Sequence, residues 1–396
     1  MSPPEVHLVC GTRPQAVRLA PVASAMREAG LVAPILVAGG RYPAMVGQAL
    51  TAFGLSPDVT LRVERGAGSR AELRTEMIRR LDALWAERPP AAVLVQGDTT
   101  TSLAGALAAY WRRIPVVHLE AGLRSDGLES SFPEEADRRL VAQVATLHLT
   151  PTALAAMNLL DENIATADVL ITGNTVVDAA LAVAGRRLPF ENTEVAAVRA
   201  AAAGRRLLVV AASRRESWGA ALDRILAAVR LLVERYPDLD VIVPTHPNPA
   251  FRAQVHAGIG GVDRVTITGP LPYQDLSRLL SEAYLVLTDS ADVQQEAPSF
   301  GVPALVLRED AGPADSLRAG YARLVGSDID RIVEEASALL DSRVRRDATT
   351  AGGNPYGDGL AAHRAAQATA ALLGLADHPD PMPALGSYAG AYGASF

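Results

Sequence analysis

The sequence contains no lysine; all 37 of its basic residues are arginine. That absence excludes a Schiff-base lysine, and with it pyridoxal-phosphate and class I aldolase chemistry. It also excludes a Walker A loop, so any phosphate clamp is made of arginine and backbone N–H groups. Cysteine is nearly as scarce: the single Cys10 permits no intramolecular disulfide and fits a reducing cytoplasm. No apolar run approaches the roughly 20 residues of a membrane span. Residues 1–10 lack the basic segment that opens a secretory signal, and the expectation is a cytoplasmic protein with no membrane partner. An excess of positive charge is lacking too. The net charge of −7 argues against nucleic acid as a partner, and an anionic ligand needs a local arginine cluster.

What is present describes two globular domains. The chain has 396 residues, 49% apolar and 20% charged, enough for two well-developed cores. Short apolar runs alternate with helical patterns almost throughout. Strands are expected at Val6–Val9, Ile35–Val37, Val59–Val63, Ala92–Val95, Val116–Leu119, Thr146–Leu149 and Val169–Ile171. After a polar, alanine-rich interruption at Gly185–Gly204, further runs follow at Leu207–Val210, Val241–Pro244, Val265–Ile267, Tyr284–Thr288, Ala304–Leu307 and Ala322–Val325. Between them, segments such as Ala71–Trp85 carry Leu73, Met77, Leu81 and Leu84 at helical spacing. This repeated βαβ rhythm predicts an α/β protein of two doubly wound, Rossmann-like domains. The boundaries expected are 1–172 and 173–359, with the helix 360–375 packing back on the first domain and a flexible tail over 378–396.

In such sheets ligands lie beyond the carboxyl ends of the strands, so the polar residues there are the candidates. The first strand is followed by Gly11-Thr12-Arg13-Pro14, with Arg18 one turn further on. Later edges carry Asp98, Glu120 and, opening another helix, Glu134. Three carboxylates beside arginines, partly desolvated, suit acid/base chemistry, although Asp98 also reads as a helix cap and Glu134 as an ordinary first-turn acid. His118 and Glu120, two apart on a strand, share one face and with Asp98 offer a weaker metal reading. In the second half, Ser213, Arg214 and His246 follow strands; His246 fits either a phosphate contact or a turn. Tyr273 fits a base pocket or a core. The stretch LTDSADVQQEAPSFGVP (Leu287–Pro303) reads as strand, polar turn and helix start, an anion-binding arrangement at Ser290 and Ala291, with Glu296 two turns along and able to accept from ribose hydroxyls. An ordinary βαβ turn fits the same residues.

Taken together, GTRPQAVRLAPV, VQGDTTTSLAGALAA, HLEAGLRS, FPEEADRRL, TGNTVVDA, RRESW, TDSADVQQEAPSFGVPALVLR and NPYGDG resemble the non-hydrolysing UDP-N-acetylglucosamine 2-epimerases, in family order from about Val6 to about Leu375. The resemblance implies two Rossmann-like domains facing a central cleft, as in GT-B glycosyltransferases, and a homodimer. It implies a UDP-sugar substrate, no cofactor and no metal. It implies anti elimination of UDP to 2-acetamidoglucal followed by re-addition, with Asp98, Glu120 and Glu134 as the acid/base carboxylates. Arg13 and Arg18 would lie near the phosphates, Arg18 where the family usually has lysine. Ser290 and the N–H groups after it would hold the diphosphate, and Glu296 the ribose.

Departures from the family pattern are concentrated in a few loops. His-Arg-Arg-Glu-Asn appears as Ser213-Arg214-Arg215-Glu216-Ser217, and Asp-Ser-Gly-Gly as Asp289-Ser290-Ala291-Asp292. Gly-Gln-His is Gly39-Gly40-Arg41, and Thr-Glu-Arg-Pro-Glu is Ala311-Gly312-Pro313-Ala314-Asp315. A specialised pathway enzyme without allosteric activation is the reading that keeps the carboxylates meaningful. A hydrolysing epimerase releasing UDP and N-acetylmannosamine, or a weakly catalytic sugar-nucleotide-binding protein, are the alternatives. A GT-B glycosyltransferase ranks below them, having no need of three carboxylates around C2.

Overall fold

The computed structural model describes residues 2–63, 69–125, 127–129, 132–202, 204–309 and 322–384. The chain packs as two units, Met1–Ala182 with Tyr356–Pro383, and Val183–Pro355. The division lies inside the helix Thr175–Gly185, later than the boundary expected at residue 172.

The first unit holds β1 (Glu5–Cys10), β2 (Ala33–Ala38), β3 (Val59–Thr60), β4 (Ala92–Gln96), β5 (Val116–Leu119), β6 (Leu147–Thr150) and β7 (Val169–Ile171). They pair in the order β3-β2-β1-β4-β5-β6-β7, all parallel, with Val9 beside Val37 on one side and Val95 on the other. Parallel strands covered on both faces read as continuous apolar runs, and every residue of β4 is buried. The helices Arg70–Glu87, Thr100–Trp111 and Glu134–Val144 lie side by side. They bury Met77, Leu81, Trp85, Leu103 and Val141 in one core with Val9, Val93 and Val95. The strand order reverses between β1 and β4, which opens a crevice at their carboxyl ends. Gly11 makes that crossing tight: a Cβ there would come within 2.0 Å of Thr101 Oγ1.

The second unit repeats the plan with β8 (Arg206–Ala211), β9 (Leu239–Pro244), β10 (Val265–Thr268), β11 (Leu285–Thr288), β12 (Ala304–Val306) and β13 (Ala322–Leu324). Its parallel order is β10-β9-β8-β11-β12-β13, so the reversal falls between β8 and β11. The helix Ala220–Arg235 buries Leu222, Ile225, Leu226, Val229, Leu232 and Val233, spaced by three and four. Each such side chain contributes about 1.5–3 kcal/mol on burial, and Leu226→Ala would cost about 2–5 kcal/mol.

The stretch from His378, expected to be a loose tail, is anchored over its first part. Pro379 is buried, and the Met382 N–H donates to the Ile171 carbonyl at 2.7 Å. Residues 385–396, and the substituted loop Ala311–Asp315, lie outside the described residues. No helix among the described residues is long and apolar enough to cross a membrane.

Candidate active site

The loop after β1 opens the helix Arg13–Ala29, and the Thr12 side chain caps it by accepting from the Gln15 N–H at 3.4 Å. Arg13 therefore stands half-buried at the first helical position, on the carboxyl edge of the sheet. Gln15 is buried; it accepts from the Gly11 N–H at 2.8 Å and donates to the Gln96 carbonyl at 2.8 Å and to Ser102 Oγ at 2.7 Å. One side-chain amide thus ties the ends of β1 and β4 together across the crevice.

Glu120 follows β5 with φ +61°, a left-handed backbone uncommon for a residue other than glycine. The chain turns out of the strand there, so the expected strand face shared with His118 does not form. The Glu120 side chain is buried, with Arg18 Nε 2.9 Å from one oxygen and Asn174 Nδ2 donating to the other at 2.7 Å. The Gln96 amide also donates to it. Arg18, expected beside phosphate, is 6% exposed, and its guanidinium serves this carboxylate. His118 Nε2 lies 2.9 Å from the Gly97 carbonyl. Burial pushes its imidazole down to about 3, with the nearby His148 acting in the same sense, so the ring is neutral and donates to that carbonyl. The metal reading loses the strand face it needed, since Glu120 turns away at φ +61°. Among the described residues no group of His, Cys, Asp and Glu is arranged to hold a metal ion.

Asp98 is not a helix cap. Thr99 caps the helix Thr100–Trp111, accepting from the Ser102 N–H at 3.2 Å. Asp98 instead accepts from Arg138, through Nε at 3.1 Å and also through Nη2. Arg138 lies one turn after Glu134, the half-buried first residue of the helix Glu134–Val144. Arg138 also donates to buried Glu135 at 3.0 Å, which takes the Ser125 N–H and hydroxyl and Arg139 as well. The charges of Asp98 and Glu134 both act on Asp137 of this helix, so the two carboxylates share one neighbourhood. Glu120 belongs to the same edge, since the residue before it, Leu119, pairs with Gln96 at the end of β4.

In the second unit the organising residue is Asp289. Fully buried, it takes the Ser213 N–H on both oxygens at 3.0 Å, the Arg214 N–H at 2.9 Å and Ser217 Oγ at 2.7 Å. It clamps the loop after β8 to the end of β11 and does not begin a helix. The Ser213 carbonyl accepts from Trp218 Nε1 at 3.2 Å, and the Trp218 ring meets His246 edge-on at 5.6 Å. His246 Nδ1 accepts from the Asn248 N–H at 3.1 Å, which places the proton of the neutral ring on Nε2. The Arg214 side chain is exposed. Ser290 is the N-cap residue of the short helix Ala291–Glu296, with its own N–H donated to Thr288 Oγ1 at 3.0 Å; Ala291 is half-buried behind it. Tyr273 and Glu296, considered apart in the sequence, form a pair: the Tyr273 hydroxyl donates to Glu296 Oε1 at 3.2 Å, and both are buried.

Sequence reasoning did not single out Gln96, Asn174, Arg138 or the clamp at Asp289. Arg138 had a signal, its spacing of four from Glu134 on an expected helix. The other three are joined to their partners only by the fold.

Two doubly wound α/β units, each with polar residues gathered at the carboxyl ends of the strands beside its switch point, define a two-unit Rossmann-like protein. A family model described as UDP-N-acetylglucosamine 2-epimerase matches residues 24–370. The UDP-N-acetylglucosamine 2-epimerase of Escherichia coli K12 is 37% identical over 367 residues, 92% of this chain and 98% of its own. The solved S. aureus MnaA–UDP co-structure is similar with a TM-score of 0.86 and 32% identity, over 96% of this chain and 100% of that one. The UDP-GlcNAc 2-epimerase of Neisseria meningitidis, solved bound to UDP-GlcNAc, gives a TM-score of 0.79 at 32% identity, over 90% and 97% of the two chains. The chain belongs to the UDP-N-acetylglucosamine 2-epimerase family.

Proposed function

We propose that the protein interconverts UDP-GlcNAc and UDP-ManNAc without releasing free sugar. The observation that carries this reading is the gathering of Asp98, Glu120 and Glu134 at one sheet edge, with Asp98 held by Arg138 and Glu120 by Arg18, Gln96 and Asn174. A base removes the proton at C2 while the C1–O bond breaks and UDP departs with the electron pair, leaving 2-acetamidoglucal. A proton is then returned to C2 on the opposite face as UDP adds back to C1. These three carboxylates carry the proton off and return it. Arg13 balances the charge of the departing diphosphate. In the second unit, Ser290, Ala291 and the N–H groups after them receive the diphosphate. Glu296, oriented by Tyr273, takes the ribose, and Arg214, Ser213 and His246 complete the nucleotide contacts. The reaction needs no cofactor.

The finer expectations belong to the same reading. The Gly40 N–H is taken by Met77 Sδ at 3.2 Å, and a side chain at Gly40 would come within 2.7 Å of the Gly11 carbonyl oxygen. This loop offers neither the amide nor the imidazole of its relatives, which supports hyperbolic kinetics without activation by a second UDP-GlcNAc. A cytoplasmic homodimer is the form in which it would work.

Incubation with UDP-GlcNAc in D₂O, followed by NMR, tests the assignment. Deuterium at C2 with UDP retained is expected. Deuterium with free UDP would make it a hydrolysing enzyme, and no deuterium would leave a binding protein.

A further inference from the structure

Gly173 and Asn174 lie between β7 and the helix Thr175–Gly185. Gly173 takes φ +88°, and a Cβ there would come within 3.3 Å of the Tyr356 carbonyl oxygen. The Asn174 N–H donates to that same carbonyl at 2.6 Å, at the point where the chain re-enters the first unit. Tyr356 packs with Val176 and Val177 in a small buried cluster. Two segments far apart in sequence therefore fix the backbone of Asn174, and its side chain is buried with them.

The amide is oriented as firmly as the backbone. The Val176 N–H lies 3.0 Å from one end of it, and an N–H only donates, so that end is Oδ1. Nδ2 is thereby turned to Glu120 and donates to Oε1 at 2.7 Å. Arg18 and Gln96 meet the same carboxylate at its other oxygen, Oε2. The last torsion of a glutamate side chain is broad, so a carboxylate gripped through one oxygen can swing. Gripped through both, it keeps its plane. Capping the helix does not by itself require asparagine, since serine or aspartate serves as well. What asparagine adds is a donor on the same side chain as the acceptor.

We propose that Asn174 is a positioning residue for the epimerisation, fixing the plane of the Glu120 carboxylate from the oxygen opposite Arg18 and Gln96. This rests on the reading in which Glu120 takes part in moving the C2 proton. A misplacement of about 1 Å at a reacting group costs on the order of a hundredfold in rate, so a swinging carboxylate is a slow one. Serine at position 174 still caps the helix, but its hydroxyl is too short to reach Glu120. Aspartate still caps it, but sets an acceptor where Glu120 meets a donor. Both substitutions keep the structural duty and remove the positioning one.

The experiment measures kcat and KM of the full chain with UDP-GlcNAc, and calorimetric affinity for UDP, in Asn174→Ser and Asn174→Asp. Asn174→Ser should lower kcat about 10- to 100-fold and Asn174→Asp by at least as much, with KM and UDP affinity within about twofold of wild type. Asn174→Ser buries no like charge beside Glu120, so it keeps the test open if Asn174→Asp fails to fold. Added to Glu120→Gln, Asn174→Ser should lower kcat by less than about twofold further, because a residue that acts through Glu120 then has no carboxylate to position. Wild-type kcat in Asn174→Ser, a loss repeated in full on top of Glu120→Gln, or UDP affinity falling in step with kcat would each overturn the assignment while leaving Glu120 its role. If Glu120→Gln alone keeps wild-type kcat, the role of Glu120 falls first, and that of Asn174 with it.

Discussion

The two units place polar residues at the same topological position, beyond strands that flank a switch point, yet they build with different materials. The first unit works in charged pairs: Arg18 with Glu120, Arg138 with Asp98, Arg74 with Asp137. At the matching edge the second commits buried Asp289 to two backbone N–H groups and a hydroxyl, and sets Tyr273 against Glu296. A carboxylate that a guanidinium favours in its ionised form is suited to accept a proton. One saturated by backbone N–H groups is equipped to keep a loop in shape. The proposed function follows that contrast, with chemistry in the first unit and nucleotide holding in the second.

The sharpest way to break that contrast is to remove the carboxylates one at a time. Asp98→Asn, Glu120→Gln and Glu134→Gln should each lower turnover by about 10²–10⁴, with UDP affinity nearly unchanged. Tyr273→Phe, which deletes one hydrogen bond to Glu296, should instead raise KM by roughly two- to tenfold at constant kcat. Calorimetric titration with UDP alongside initial rates separates the two patterns. If UDP affinity falls in step with turnover in the first three variants, the division of labour is wrong.

Much of this organisation was legible in the chain. Every expected strand forms, because a doubly covered parallel strand reads as an apolar run and the turns after it as polar breaks. Position along the sheet edge was legible for the same reason. What the chain hid was direction and partnership. Nothing local announced that Glu120 adopts a positive φ, that Arg18 turns toward it, or that Asn174 arrives from beyond β7. Capping was misassigned at Asp98 because Asp and Thr are both good caps, and the choice fell to Thr99 once Arg138 claimed the carboxylate.

A second contrast lies in the histidines. The first unit buries His7, His118 and His148 in its sheet and exposes only His363 and His378 of its C-terminal segment, while His246 and His256 of the second are half-buried and exposed. Burial pushes the His148 ring down to about 4, against about 6.5 in an unfolded chain. Its folded state refuses a proton that the unfolded chain accepts. The stability this represents is fully present above about pH 6.5 and is lost as pH falls toward 4, on the order of 3 kcal/mol in all. Asp137 and Asp178 act oppositely, since burial raises both carboxyls and the folded state takes their protons first. Substitution isolates the histidine: the stability advantage of wild type over His148→Leu should shrink steadily from about pH 7 to pH 4.5. An advantage independent of pH in urea unfolding would remove His148 from the account.

The Asp289 clamp predicts a smaller and more local effect. Asp289→Ala leaves two N–H groups and the Ser217 hydroxyl without their acceptor, which should cost about 2–3 kcal/mol once the loop has relaxed. The loop after β8 should loosen, so hydrogen exchange at Ser213 and Arg214 should accelerate and UDP affinity should fall. Exchange unchanged at those two amides would show that the loop is held by something other than the clamp.

The smallest expected effect concerns Ser213 itself, where the family has histidine. Its backbone is fixed on both sides, the N–H by Asp289 and the carbonyl by Trp218, so a new side chain can enter without moving the main chain. A histidine there donates an N–H, charged or neutral, to the departing diphosphate, and a serine hydroxyl is weaker in that role. Asp292 adds to the deficit by placing negative charge in the first turn of the helix that would receive the diphosphate. In the proposed reaction C1–O cleavage should then weigh more heavily on turnover, and an ¹⁸O isotope effect at the departing oxygen should be expressed on kcat/KM. Ser213→His should raise turnover by less than about tenfold and diminish that isotope effect. A variant that folds and binds UDP normally yet shows no gain, or no activity, would mean that Ser213 is matched to a different sugar and is not the loss of a proton donor.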